Sequence, residues 1–70
     1  MSVVELMDRI SVNPNVMVGK PVIRGTRIPV QFIVKLLANG VTEEEILTEY
    51  YPDLVKEDIK AARLYASNSL

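Results

Sequence analysis

From residue 29 onward the chain is punctuated so closely that only short helices fit between the breaks. Pro29 suits a first helical position, and its predecessor Ile28 is pushed toward extended geometry. Gly40 fits the position just past a helix end. Thr42-Glu43-Glu44-Glu45 carries the pattern of a capping box, with three carboxylates where the helix dipole welcomes negative charge. Pro52 stops that helix at about Tyr50. A third helix is expected over Lys56–Ser67.

The faces of these helices follow from spacing. Between Val30 and Asn39 only Gln31, Lys35 and Asn39 are polar, which leaves one thin wet stripe and predicts a helix nearly surrounded by protein. Ile46, Leu47 and Tyr50 mark the inner face of the second helix. Val55, Ile59, Ala62 and Ala66 mark a buried stripe on the third. Lys56, Lys60, Arg63 and Ser67 form a separate polar stripe.

The first 28 residues are less regular. Ser2 with Glu5 is a possible capping box over a helix Val3–Arg9. Ile10-Ser11-Val12 alternates as a brief strand would, and Asn13-Pro14-Asn15 ends it. Residues 16–24 read as extended chain around a glycine turn. Pro21 lacks a donor, so any sheet here is small or edge-like. Gly25-Thr26-Arg27 is a turn, with Gly25 holding a positive φ. One domain over residues 1–70 is expected: mostly α, a three-helix bundle preceded by a small β element and a short N-terminal helix.

Composition excludes more than it proposes. The chain has no cysteine and no histidine, so disulfides, the usual zinc ligands, an imidazole base and a thiolate are all missing. No catalytic residue, cofactor site or metal site is expected, and the protein is read as no enzyme. Hydrophobic residues make up 49% of 70 positions. Surplus apolar surface on so small a domain is most simply an interface, and a homodimer is expected. The start carries acids where a secretory signal carries positive charge, and no apolar run approaches the roughly 18 residues of a membrane helix. A cytoplasmic protein without membrane contact is expected.

Charge is segregated although the net value is only −1. Arg9, Lys20, Arg24, Arg27 and Lys35 occupy residues 9–42 without a single acid, whereas residues 43–70 hold seven acids against three bases. Such asymmetry can mark a nucleic-acid surface, or the two blocks can neutralise each other across the fold. Two constellations carry the first possibility. Lys20, Arg24, Thr26 and Arg27, with Gly19 and Gly25, could present charge and backbone N–H groups to phosphates. In the alternative, Gly25 serves the turn, Thr26 caps it and Arg27 pairs with an acid of the Glu43–Glu45 block. Lys56, Lys60 and Arg63 form the second constellation. The two helices joined by Tyr51–Val55 resemble a helix-turn-helix, whose second helix would enter the major groove. Glu57 and Asp58 oppose this, since they occupy the turn that should approach phosphates, and a solvated helix face accounts for the same stripe.

Gly19-Lys20-Pro21-Val22-Ile23-Arg24-Gly25-Thr26-Arg27-Ile28-Pro29-Val30 resembles the signature of a bacterial and archaeal family known as domain of unknown function 433. The likeness continues through Leu37–Gly40, Thr42–Ile46, Tyr51–Leu54, Asp58-Ile59, Ala61-Ala62 and Tyr65-Ala66, and covers residues 10–66. It implies a homeodomain-like helix-turn-helix fold and an antitoxin-like role in a toxin–antitoxin pair. The implied partner is a small nuclease-like toxin of PIN type, and antitoxins of this kind bind their own operator DNA. The alternatives are a pure protein-interaction module, a stand-alone transcriptional regulator, or, least supported, an enzyme subunit lending a phosphate-binding loop. Val55 stands where relatives place Thr or Ser, which removes a capping hydroxyl worth about 0.5–2 kcal/mol. The chain ends soon after the last helix, so a toxin is expected to dock on the folded domain or the N-terminal segment.

Overall fold

The computed structural model describes residues 2–15 and 19–68. The described residues are mostly helical, with four helices and a two-stranded sheet. Helix α1 (Val3–Met7) leads into β1 (Ile10–Ser11), which pairs antiparallel with β2 (Val22–Ile23) in the register Ile10–Ile23 and Ser11–Val22. Helix α2 (Val30–Ala38), helix α3 (Glu43–Glu45) with a π-helical continuation (Ile46–Tyr50), and helix α4 (Lys56–Asn68) follow. Residues 16–18 of the expected extended stretch lie outside the described residues.

Local hydrogen bonds account for most of the boundaries. Ser2 Oγ accepts the Glu5 N–H at 3.2 Å, and α1 ends at Met7, two residues before the expected Arg9. Arg9 is instead drawn into the sheet margin, where its carbonyl accepts the Arg24 N–H at 2.7 Å. Pro29 lies just outside α2 in extended geometry, one residue earlier than expected, and the Val30 N–H is taken by the Pro21 carbonyl at 3.0 Å. That bond ties the start of α2 to the strand segment. At the other end Gly40 has φ +87°. The Val41 N–H bonds the Leu36 carbonyl and the Gly40 N–H bonds the Leu37 carbonyl, the paired closure that a left-handed residue permits. The Thr42–Glu45 capping box is complete in both directions.

The second helix departs from the expected α-helix. Thr48 Oγ1 donates to the Glu44 carbonyl at 2.9 Å, a back-bond that disturbs helical turns. The Tyr51 N–H then reaches the Ile46 carbonyl, five residues back, at 2.7 Å. The residue brought over Ile46 is therefore Tyr51. Tyr51 packs against the core, while Tyr50, expected inside, is 47% exposed.

The core is built from Ile10, Ile23, Val30, Ile33, Ile46, Leu54, Ile59, Ala61 and Ala62. Helix α4 runs through its centre, packed by α1 and α2. Val55 is not part of the α4 stripe; it stands 46% exposed. It precedes the first helical residue, so the helical period does not reach it, and the buried positions of α4 are Asp58, Ile59, Ala61 and Ala62. Helix α2 is not surrounded by its own chain either. Only Val30 and Ile33 are buried, and Phe32 is 47% exposed. None of the described helices is long and apolar enough to cross a membrane.

Candidate functional site

The Gly25–Arg27 segment is the tip of a tight loop that turns β2 back toward α2. The Ile23 N–H donates to the Ile28 carbonyl at 3.0 Å, and Gly25 sits at φ +81° in open space. Thr26 fastens the loop from within. Its hydroxyl donates to the Ile23 carbonyl at 2.7 Å and accepts the Ile28 N–H at 3.1 Å. This is the local-cap reading of Thr26, and its hydroxyl is committed to the fold.

Arg24 is also committed. Its Nε donates to the Asp8 carbonyl at 2.6 Å, and Nη2 reaches the Ile10 carbonyl at 3.4 Å and the Asp8 carboxylate at 3.7 Å. The guanidinium thus straps the loop to the α1–β1 junction. Arg27 is different. It is exposed and makes no hydrogen bond or ion pair among the described residues, so the expected pairing with the Glu43–Glu45 block does not form. Glu43 is taken instead by Arg63, at 3.7 Å. Arg27, Ser11, Asn13 and Thr26 border an open cleft of about 470 Å³. Lys20 lies exposed on the segment that precedes β2.

Lys56, Lys60 and Arg63 are all exposed along α4, as their spacing predicts. The acids beside them divide. Glu57 is half-buried, whereas Asp58 is only 8% exposed and does not face an approaching phosphate. Asp58 Oδ1 accepts from Arg9 Nη1 at 3.1 Å, and Oδ2 accepts the Val55 N–H at 3.0 Å. The start of α4 is therefore held although Val55 offers no hydroxyl. Sequence reasoning missed Arg9 and Asp58 as a pair because 49 residues separate them.

A second surface is largely apolar and carries one cation. Phe32, Leu36, Tyr50 and Tyr51, with Lys35 and Asn39 at the edge, line a cleft of about 290 Å³. Of the sequence-singled residues, then, Arg24 and Thr26 hold the loop, Arg63 pairs across helices, and Lys20, Arg27, Lys56 and Lys60 project without partners among the described residues.

These features define a small helical module with a clasped N-terminal sheet and surface-borne rather than enclosed candidate sites. The chain belongs to the family described as protein of unknown function (DUF433), whose model matches residues 10–66. It is similar to the crystal structure of a DUF433 member protein from Anabaena variabilis, with a TM-score of 0.80 and 38% identity over 94% of this chain and 64% of that one. It is 41% identical over 54 residues to the uncharacterized protein y4eO of Sinorhizobium fredii, covering 77% of this chain and 24% of that protein. An uncharacterized protein of Archaeoglobus fulgidus is 60% identical over 30 residues, covering 43% of this chain and 83% of its own. The chain thus spans about a quarter of the Sinorhizobium protein and under two thirds of the Anabaena one.

Proposed function

We propose that the chain is a non-catalytic, antitoxin-like binding module of the cytoplasm that neutralises a small nuclease of PIN type. The observation that carries this reading is a division of labour among side chains. Arg9, Arg24, Thr26 and Asp58 are spent on holding the fold, while Phe32, Tyr50, Val3, Val4, Val12 and Val55 stand exposed. Large apolar groups left in water on a domain this small suit a protein partner rather than a reaction. In this reading α3 with its π-helical turn, the Tyr51–Val55 connection and α4 form a homeodomain-like helix-turn-helix pair.

The test is reconstitution. A PIN-type nuclease encoded beside this chain is purified, its cleavage of RNA is measured, and the chain is titrated in. Stoichiometric loss of cleavage supports the antitoxin role. Undiminished cleavage at excess chain removes it.

A second reading, operator binding, is favoured by one observation: Lys20, Arg27, Lys56 and Lys60 have no partner among the described residues. Unpaired cations keep their full charge for phosphates, whereas Arg24 and Arg63 would first have to leave their present bonds. Binding to promoter DNA that falls steeply with salt supports this reading, and salt-insensitive binding counts against it.

A further inference from the structure

We infer that the outer face of the two-stranded sheet, with the Gly25–Arg27 loop and the turn at Asn13, forms a site for a phosphate group, free or esterified. The polar groups that the fold leaves unspent there can all donate, and no carboxylate among the described residues lines the cleft. The inference goes beyond operator binding, because such a site takes a phosphate whether or not the chain binds DNA.

The sheet has two faces. Ile10 and Ile23 are register partners and both lie in the core, so the Ser11–Val22 pair faces the other way. On that side is the open cleft of about 470 Å³, lined by Ser11, Asn13, Val22, Gly25, Thr26 and Arg27. All six fall within residues 9–42, a stretch that contains no acid. The acids nearest in sequence, Glu5 and Asp8, line a separate cleft with Arg9, Arg24 and Asp58. Arg27 therefore keeps its charge where the other N-terminal arginines are neutralised.

Hydrogen bonds within the fold use up the acceptors and spare the donors. Asn13 Oδ1 accepts the Asn15 N–H at 2.9 Å, which fixes the amide and leaves its Nδ2 group without a partner among the described residues. Thr26 spends its hydroxyl on the Ile23 carbonyl and the Ile28 N–H. The Arg27 guanidinium, the Ser11 hydroxyl and the Gly25 N–H make no hydrogen bond among the described residues. What remains is one cation with neutral donors, Ser11 and Asn13 from the β1 end and Gly25 and Arg27 from the loop. That set suits an anion with several acceptor oxygens, and a guanidinium matches phosphate with two parallel bonds. The space that a side chain at Gly25 would fill is empty to 4 Å, so a ligand oxygen can approach the backbone closely. The cleft lies in the size range of small-ligand sites, about 300–1,000 Å³, so the rest of an ester has room beside its phosphate.

Nuclear magnetic resonance titration of the full chain with inorganic phosphate, against sodium chloride at equal ionic strength, tests the site. Phosphate is expected to shift the Ser11, Gly25 and Arg27 amides and the Asn13 side-chain amide to saturation, and acetate to shift them far less. Arg27→Ala is expected to weaken binding about tenfold, the loss of a charge-assisted bond. Asn13→Asp keeps an acceptor for the Asn15 N–H but sets a carboxylate in the cleft, and is expected to abolish binding. Lys60→Ala, on α4, should leave the affinity unchanged. Dimethyl phosphate tells the sources apart. Binding as tight as that of inorganic phosphate assigns the site to nucleic-acid diesters, and binding of inorganic phosphate alone assigns it to free or terminal phosphates. Shifts no larger than those in chloride, equal shifts with acetate, undiminished binding by Arg27→Ala or Asn13→Asp, or an equal loss in Lys60→Ala overturns the inference. Operator binding without phosphate shifts removes this inference alone, and phosphate binding without operator binding removes the operator reading alone.

Discussion

Arg9 and Asp58 meet across 49 residues of sequence, Nη1 to Oδ1 at 3.1 Å, and the same carboxylate caps the start of α4 through the Val55 N–H. One side chain thus joins the end of the α1 segment to the central helix. The arrangement depends on both bonds, because Asp58 is buried and Arg9 is only one-third exposed.

Removing Arg9 should leave the Asp58 charge buried with a single hydrogen bond. Breaking one side of a buried pair costs about 3–5 kcal/mol, and partial exposure of Arg9 reduces this to about 1–3 kcal/mol. Arg9→Met is therefore expected to lower the urea midpoint substantially. Asp58→Asn should cost less, since the amide oxygen can still accept the Val55 N–H. Equal midpoints for wild type and Arg9→Met would show that the pair contributes nothing.

Val55→Thr should stabilise the protein modestly. The Asp58 N–H, bonded to the Val55 carbonyl at 3.0 Å, would gain the hydroxyl as a second acceptor while Asp58 keeps the Val55 N–H, which completes a reciprocal box. Little apolar burial is lost, because Val55 is already half in solvent. The expected gain is about 0.5–1 kcal/mol, below the full value of a cap because Asp58 already supplies half of it. A thermal midpoint that stays the same or falls would argue against that geometry.

Arg24 and Arg27, alike in sequence, should separate in experiment. Arg24 cannot be reversed to Glu without harming the fold, because its guanidinium bonds the Asp8 and Ile10 carbonyls. Arg24→Ala should lower stability by about 1 kcal/mol, and Arg27→Ala should leave the melting curve in place. If promoter DNA is bound, Arg27→Ala is expected to reduce the salt slope of binding by about one. A destabilised Arg27→Ala with an intact Arg24→Ala would reverse the assignment.

Thr26→Val keeps the shape of the loop side chain and removes both of its hydrogen bonds. The Ile28 N–H then loses its acceptor in a half-buried setting, at about 1–2 kcal/mol. Hydrogen exchange at Ile28 is expected to accelerate, and Thr26→Ser should retain wild-type protection. Unchanged exchange in Thr26→Val would show that the loop does not rely on the hydroxyl.

Much of this fold could be read locally. The Ser2 and Thr42 caps, the closure at Gly40, the positive φ at Gly25 and the start of α4 at Lys56 all rest on hydrogen bonds spanning five residues or fewer. Side-chain identities at such spacing meet whatever the rest of the chain does, so composition and order suffice. The family likeness over residues 10–66 is legible because it is carried by an ordered series of turn, cap and core residues at fixed spacing.

The tertiary structure decided which charges are free and which apolar groups are covered. Nothing in the order of residues distinguishes Arg24, which finds the Asp8 carbonyl, from Arg27, which finds no partner among the described residues. Nor does it mark Tyr51 rather than Tyr50 for the core, or send Arg63 to Glu43 and Arg9 to Asp58. Long flexible side chains pair according to where helices cross, and those crossings are set by packing the whole core. Short-range hydrogen bonds are properties of the sequence; the partners of a charge on this surface are properties of the assembled fold.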